Sequence, residues 1–204
     1  MSDLTSGRYP DTFEEWMLDG KPAQPYRTTI SRRDILSTGV TPTVNAVCVY
    51  PVVVQQGDVI GAISIGVKTA TAATASHGWA AIYTGLTTAA TLISQSADST
   101  SGFTSSGALQ KFTLTTPYAV GASPGSTGTD GPLVLGVALY NSSSGAGGAL
   151  DGMTGSSVPG GILVTGQVPM AFSAALAATA TAPANLSGFT ALTGGVPYIA
   201  LSRS

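Results

Sequence analysis

The chain has 204 residues, 43% of them hydrophobic and only 9% charged, with a formal net charge of −2. A typical soluble domain is about a quarter charged, so this composition argues against a general nucleic-acid surface. No apolar run reaches the roughly eighteen residues of a membrane span.

The charge that exists is concentrated at the front. Residues 1–34 carry eleven of the eighteen charged side chains, and the rest of the chain carries seven: Asp58, Lys68, Asp98, Lys111, Asp130, Asp151 and Arg203. Within the front segment, Asp11-Thr12-Phe13-Glu14-Glu15-Trp16-Met17-Leu18 predicts a short helix, with Asp11 and Glu14 at capping-box spacing and Gly20 past its end. Phe13, Trp16 and Met17 share one face by helical spacing. A two-turn helix is unstable alone, so that face needs a partner, either the chain's own body or another subunit. Pro22 and Pro25 then predict an extended connector over 20–30. Ser31-Arg32-Arg33-Asp34-Ile35-Leu36 has the look of a twin-arginine export signal. Pro42 and Pro51 interrupt the apolar segment such a signal needs, so no secretory signal is expected.

From about residue 44 the pattern changes to strands and turns. Runs at 44–54, 59–67, 78–84, 92–97, 109–120, 132–141, 161–168 and 196–202 are rich in β-branched and aromatic residues. Pro51 inside the first predicts an edge position or a bulge. In the second, Val59, Ile63, Ile65 and Val67 are expected on one face. Stretches of Gly, Ser and Thr separate the runs. With 26 Gly, 27 Thr and 23 Ser, solubility must come from hydroxyls and backbone. Residues 174–184 are alanine-rich, but Thr179 and Thr181 weaken a helix and Pro183 ends it, so a loop is expected there. Eight short strands without a long helix predict an all-β antiparallel β-sandwich or jelly roll with an extended N-terminal arm carrying one short helix. The expected division is an anchoring arm over 1–40 and a sandwich over 41–204.

Sites of chemistry are sparse. Gly121-Ala122-Ser123-Pro124-Gly125 has the form of a nucleophile elbow. The single His77 precedes it, however, and residues 126–132 cannot start the helix that an elbow requires. Glycine-rich 145–155 lacks the Lys of a phosphate loop. His77 has no second histidine and no cluster of carboxylates to hold a metal, and a turn histidine packed near Trp79 is the expected reading. Cys48, in an apolar run, reads as a buried hydrophobe, and one cysteine makes no intrachain disulfide. Asn141 and Asn185 begin glycosylation sequons by pattern alone. Glu14 and Glu15 are helical neighbours diverging by about 100°, so they would not bracket a bond. No enzymatic activity, cofactor or metal is expected.

The phrases Gly78-Trp79-Ala80-Ala81-Ile82-Tyr83, Leu92-Ile93-Ser94-Gln95-Ser96-Ala97-Asp98, Lys111-Phe112-Thr113-Leu114-Thr115-Thr116-Pro117-Tyr118 and Leu135-Gly136-Val137-Ala138-Leu139-Tyr140 carry a likeness. Together they resemble jelly-roll structural proteins of tailed phages infecting actinobacteria, where similar modules are head decoration proteins, minor tail proteins or fibre tips. The resemblance covers roughly 60–140 and rests on structural phrases. It departs at Tyr83-Thr84-Gly85, where an Asp commonly follows the Tyr, and it does not extend to the arm.

The resemblance implies a virion structural protein, with the major capsid protein or tail subunits as partners and a symmetric homo-oligomer, a trimer, as its assembly. Capsid decoration is favoured over a tail appendage because the chain lacks a fibre shaft. The arm residues expected to grip the partner are Phe13, Trp16 and Met17 as apolar anchors, with Arg27, Arg32 and Arg33 as polar contacts. Two rival readings are a carbohydrate-binding module meeting host glycans through Trp79, Tyr83, Phe103 and Tyr140, and a hydrolase acting through Ser123.

Overall fold

The computed structural model describes residues 25–29, 35–54, 57–70, 75–84, 89–99, 103, 106–121, 133–143, 148–153, 172–175, 179–191 and 195–203. The described residues form fourteen strands and no helix. In chain order these are β1 (Pro25–Thr28), β2 (Leu36–Val40), β3 (Ala46–Val54), β4 (Val59–Thr69), β5 (Ala75–Thr84), β6 (Ala89–Gln95), β7 (Ala108–Ala119), β8 (Leu133–Ser143), β9 (Ala149–Met153), β10 (Phe172–Ala175), β11 (Asn185–Ser187), β12 (Thr190–Ala191), β13 (Val196–Pro197) and β14 (Ile199–Ser202). Every pairing is antiparallel, and the strands make two seven-stranded sheets in a sandwich-like arrangement. The expected helix over 11–18 and the expected strand over 161–168 lie outside the described residues.

Sheet I is organised around β4. Strand β7 runs along one of its edges (Ile63↔Phe112, Ile65↔Gln110), and β14 runs along the other (Ile63↔Leu201, Ile65↔Ile199). Beyond β14 on that second edge, β9 continues the pairing (Val67↔Leu150) and carries β2 and β13. Strand β1 pairs β14. Residues 25–29 and 35–40, placed in the arm by sequence, are therefore woven into the body.

Sheet II runs in the order β11-β6-β5-β8-β3-β10-β12. Its outer strands are nearly consecutive in sequence, with only Gly188 and Phe189 between them. Three residue steps reach roughly 10 Å at most, whereas seven flat strands would separate those edges by roughly 29 Å. Sheet II therefore curls strongly, bringing its two edges towards each other around a concave face.

Period-2 alternation then supplies two cores from the same strands. One face of β3, β8 and β5 sends Cys48, Tyr50, Val52, Leu135, Val137, Leu139, Ala80 and Ile82 into the space between the sheets. There they meet Ile60, Ile63, Ile65, Val67, Phe112, Leu150, Ile199 and Leu201 of sheet I. The opposite, concave face carries Val47, Val49, Trp79, Ala81, Tyr83, Ala138 and Tyr140, covered by Ala182 and Leu186. Strands buried on both faces read as unbroken apolar runs, which is why residues 46–50 and 60–67 are buried one after another.

Two expectations about strand detail need revision or refinement. Ile60, not Val59, joins the inner core, because the register shifts between Ile60 and Ala62. Opposite that shift β7 has four residues, 114–117, where β4 has only Gly61, so the extra length lies on β7. Pro51, in the middle of β3, pairs Gly136 of β8 on one side and on the other lies beyond Val49, the last residue of β3 with a described β10 partner.

Candidate functional site

Three places bring polar or aromatic chemistry together. The first is the junction of the leader with the body. Arg27 on β1 directs Nε to Asp58 Oδ2 at 2.8 Å and a terminal nitrogen to Oδ1 at 3.4 Å. Their side chains are 15% and 9% exposed. Asp58 sits in the β3–β4 turn, which is stitched to the end of β7 by Gly57 N–H donating to Val120 O at 2.7 Å and Val120 N–H donating to Asp58 O at 2.8 Å. Gly57 has φ +91, a conformation glycine adopts freely. Arg27, expected to grip a partner, thus closes an ion pair within its own chain. Phe13, Trp16, Met17, Arg32 and Arg33 lie outside the described residues.

The second place is the entrance of β5. His77 Nδ1 lies 2.7 Å from Asp98 Oδ2, and the other carboxylate oxygen accepts the Gly78 N–H at 2.9 Å. His77 N–H donates to Ser142 Oγ at 2.9 Å, and Ser99 N–H donates to Gly78 O at 2.7 Å. A single aspartate thus ties the strand's first residues to the segment after β6. His77 is held by Asp98 and sits on a strand rather than in a turn beside Trp79. The Asp98 partner lies 21 residues away and carries no local sequence signal. Among the described residues, no group of three or more His, Cys, Asp or Glu is arranged to hold a metal ion.

The third place is the concave face of sheet II. Trp79 and Tyr140, paired across β5 and β8, stack with ring centroids 5.0 Å apart and an interplanar angle of 22°. Residues 179–187 cross this face and are held through their backbone. Trp79 Nε1–H donates to Thr179 O (3.1 Å), Tyr83 O–H donates to Pro183 O (2.8 Å), and Ala182 N–H donates to Gln95 Oε1 (2.6 Å). Leu92 N–H donates to Ala184 O at 2.9 Å, after which β11 pairs β6. Burial pushes the Tyr83 phenol well up from its usual value. It also raises Tyr140, partly offset by hydrogen bonds with Ser142 and the Thr179 backbone. Of residues 174–184, expected as a loop, 174–175 are instead the end of β10, while 179–184 are irregular as expected and seal the second core. That sealing role depends on contacts about 100 residues away in sequence, which local pattern cannot show.

The four aromatics expected to present a glycan-binding surface are all buried. Trp79, Tyr83 and Tyr140 lie beneath residues 179–187, and Phe103 packs against Phe112 in the core between the sheets. Ser123 lies outside the described residues. The glycine-rich 145–155 stretch is in part strand β9 rather than a loop. Cys48 is buried, and its thiol is pushed up by burial. A cavity of ≈ 10 Å³ between the 42–44 turn, Phe103 and Leu139–Asn141 has room for about one water. No known family model matches the chain, and no curated protein matches it.

Proposed function

We propose that this protein is a non-enzymatic structural component of a tailed-phage virion: a capsid decoration protein whose β-sandwich, of jelly-roll topology, is displayed outside while a polar leader docks on the shell. The observation that carries the reading is the partition of charge. Eleven of eighteen charged side chains precede residue 35, while the body buries both faces of its central strands. The likeness of residues 60–140 to jelly-roll virion modules supports it. So does the place of β1 at one end of the strand order of sheet I among the described strands.

In this reading the leader helix over 11–18 presents Phe13, Trp16 and Met17 to the major capsid protein, and Arg32 and Arg33 add polar contacts. Arg27 belongs to the body. The assembly is a symmetric trimer on the particle surface. A tail-tip role would use the same leader against tail subunits. A glycan-binding role has lost the exposed aromatic surface it was expected to use.

The test is deletion of residues 1–24, which spares β1 and the Arg27–Asp58 pair. The truncated protein is expected to fold and to be absent from purified particles, while labelled full-length protein decorates the head in electron micrographs. Normal decoration by the truncated protein overturns the anchoring role. Label confined to the tail overturns the capsid assignment.

A further inference from the structure

We infer that the concave face of sheet II is a peptide-docking groove that the chain keeps filled with its own residues 179–187, and that an uncharged, proline-containing peptide of like sequence can take their place. This stands apart from the virion reading and rests on three observations.

The first is the way the segment is held. Trp79 Nε1–H and Tyr83 O–H reach backbone carbonyls four residues apart, at Thr179 and Pro183, and Gln95 Oε1 takes the Ala182 N–H. These contacts hold the main chain of a segment that bends at residues 180, 181 and 184 and folds Thr179 Oγ1 onto the Thr181 backbone, so the groove reads backbone rather than side chains. The floor is the Trp79–Tyr140 stack with small Ala81 and Ala138 beside it, which leaves room for a chain to lie flat.

The second observation is the separation of the two cores. No residue of 179–189 belongs to the core between the sheets. The segment can leave without opening that core, as a locally unfolding unit does.

The third is how little of the segment is anchored. Ala182 and Leu186 are its buried hydrophobes, with Phe189 half-buried beside them. The segment also bears no charge over 179–191, so nothing ionic restricts which uncharged peptide replaces it.

The test exploits the difference between a tethered occupant and an added one. A dye-labelled synthetic peptide with the sequence of residues 179–189 is titrated against the full chain and against Leu186→Ala, with binding read by fluorescence anisotropy. The substitution weakens the built-in occupant while the added peptide keeps its leucine. The variant is therefore expected to bind the peptide at least about tenfold more tightly than the unmodified chain. Tyr83→Phe added to Leu186→Ala should weaken that binding again, because a donor to the Pro183 carbonyl is gone. Hydrogen exchange on the same samples should show the Ala182 amide exchanging at least about tenfold faster than amides in the β3–β8 ladder, and should report that the variants remain folded. Three results overturn the inference: equal peptide affinity for both proteins, no saturable binding to either, or exchange at Ala182 only through global unfolding.

Discussion

Replacing Arg27 with Ala tests whether residues 25–29 belong to the body. Arg27 and Asp58 are 15% and 9% exposed at their side chains, and the guanidinium approaches both carboxylate oxygens. An exposed pair contributes about 0.2–1 kcal/mol, and losing one partner of a fully buried pair costs about 3–5 kcal/mol. This pair lies between those limits, so R27A should destabilise the chain by about 2 kcal/mol. With a urea slope near 2 kcal/mol per molar, the unfolding midpoint should fall by about 1 M. The loss should come from the pair itself, because β1 contributes few backbone pairings of its own. Removing the aspartate as well should therefore restore part of the stability. A double-mutant cycle of R27A, D58A and the double variant, followed by urea unfolding of the full chain, should return a coupling of at least about 1 kcal/mol. A coupling near zero, or an R27A midpoint unchanged within error, would refute the argument and return residues 25–29 to the leader.

Three further outcomes follow from burial and close approach. In Gly152→Ala, the new Cβ would lie 2.7 Å from Pro197 Cα and 2.8 Å from Val40 Cγ2; backbone cannot yield as a side chain does, so thermal unfolding should show at least about 2 kcal/mol of destabilisation, and a neutral result would mean that β9 is not clamped between β2 and β13. Burial raises the phenol pKa values of Tyr50, Tyr83 and Tyr140 in the folded chain, so their contribution to stability is complete below about pH 10, the unfolded value, and is lost as pH rises above it. Urea midpoints should accordingly fall from about pH 10 upward, while the share of tyrosinate absorbance due to these three of the seven tyrosines rises only with unfolding; ionisation of all seven in the folded chain would contradict this. Cys48, buried with its thiol pushed up, should resist alkylation in native buffer and react fully in urea, and rapid native labelling would show that β3 is accessible where it is drawn as core.

The strands that could be read from the sequence share a property. Residues 44–54, 59–67, 109–120 and 132–141 are long β-branched or aromatic runs, and each corresponds to a strand: β3, β4, β7 and β8. Where the reading slipped, a non-local or backbone cause is identifiable. Regular alternation puts Val59 on one face with Ile63, Ile65 and Val67, whereas the register shift between Ile60 and Ala62, opposite the extra residues of β7, leaves Ile60 in the inner core instead. The short strands β1, β2, β9 and β10 owe their existence to neighbours far along the chain, such as Pro25↔Ser202 and Ala174↔Val47. Arg27 looked like a free arm cation because its partner is 31 residues away. Trp79, Tyr83 and Tyr140 belong to a second core on the far side of their own sheet, which no local pattern shows because its cover comes from residues about 100 positions away.

The second core also bears on what the scarcity of charge means. A sandwich with one buried face per sheet leaves every other strand residue in solvent, and those positions normally carry charge. Here residues 46–50, 60–67, 78–83 and 135–140 are buried without interruption, so four of the longest strands offer few places where a charge could be solvated. Solvent is met instead by positions such as Thr113, Thr115 and Thr116 on β7, where hydroxyls suffice. Low charge in the body is thus a consequence of burying both faces of its central strands. Of the eleven charges before residue 35, Arg27 is taken up by Asp58 within the body, and the other ten lie outside the described residues. Burial of both strand faces accounts for the uncharged body, and the concentration of charge ahead of it carries the functional argument.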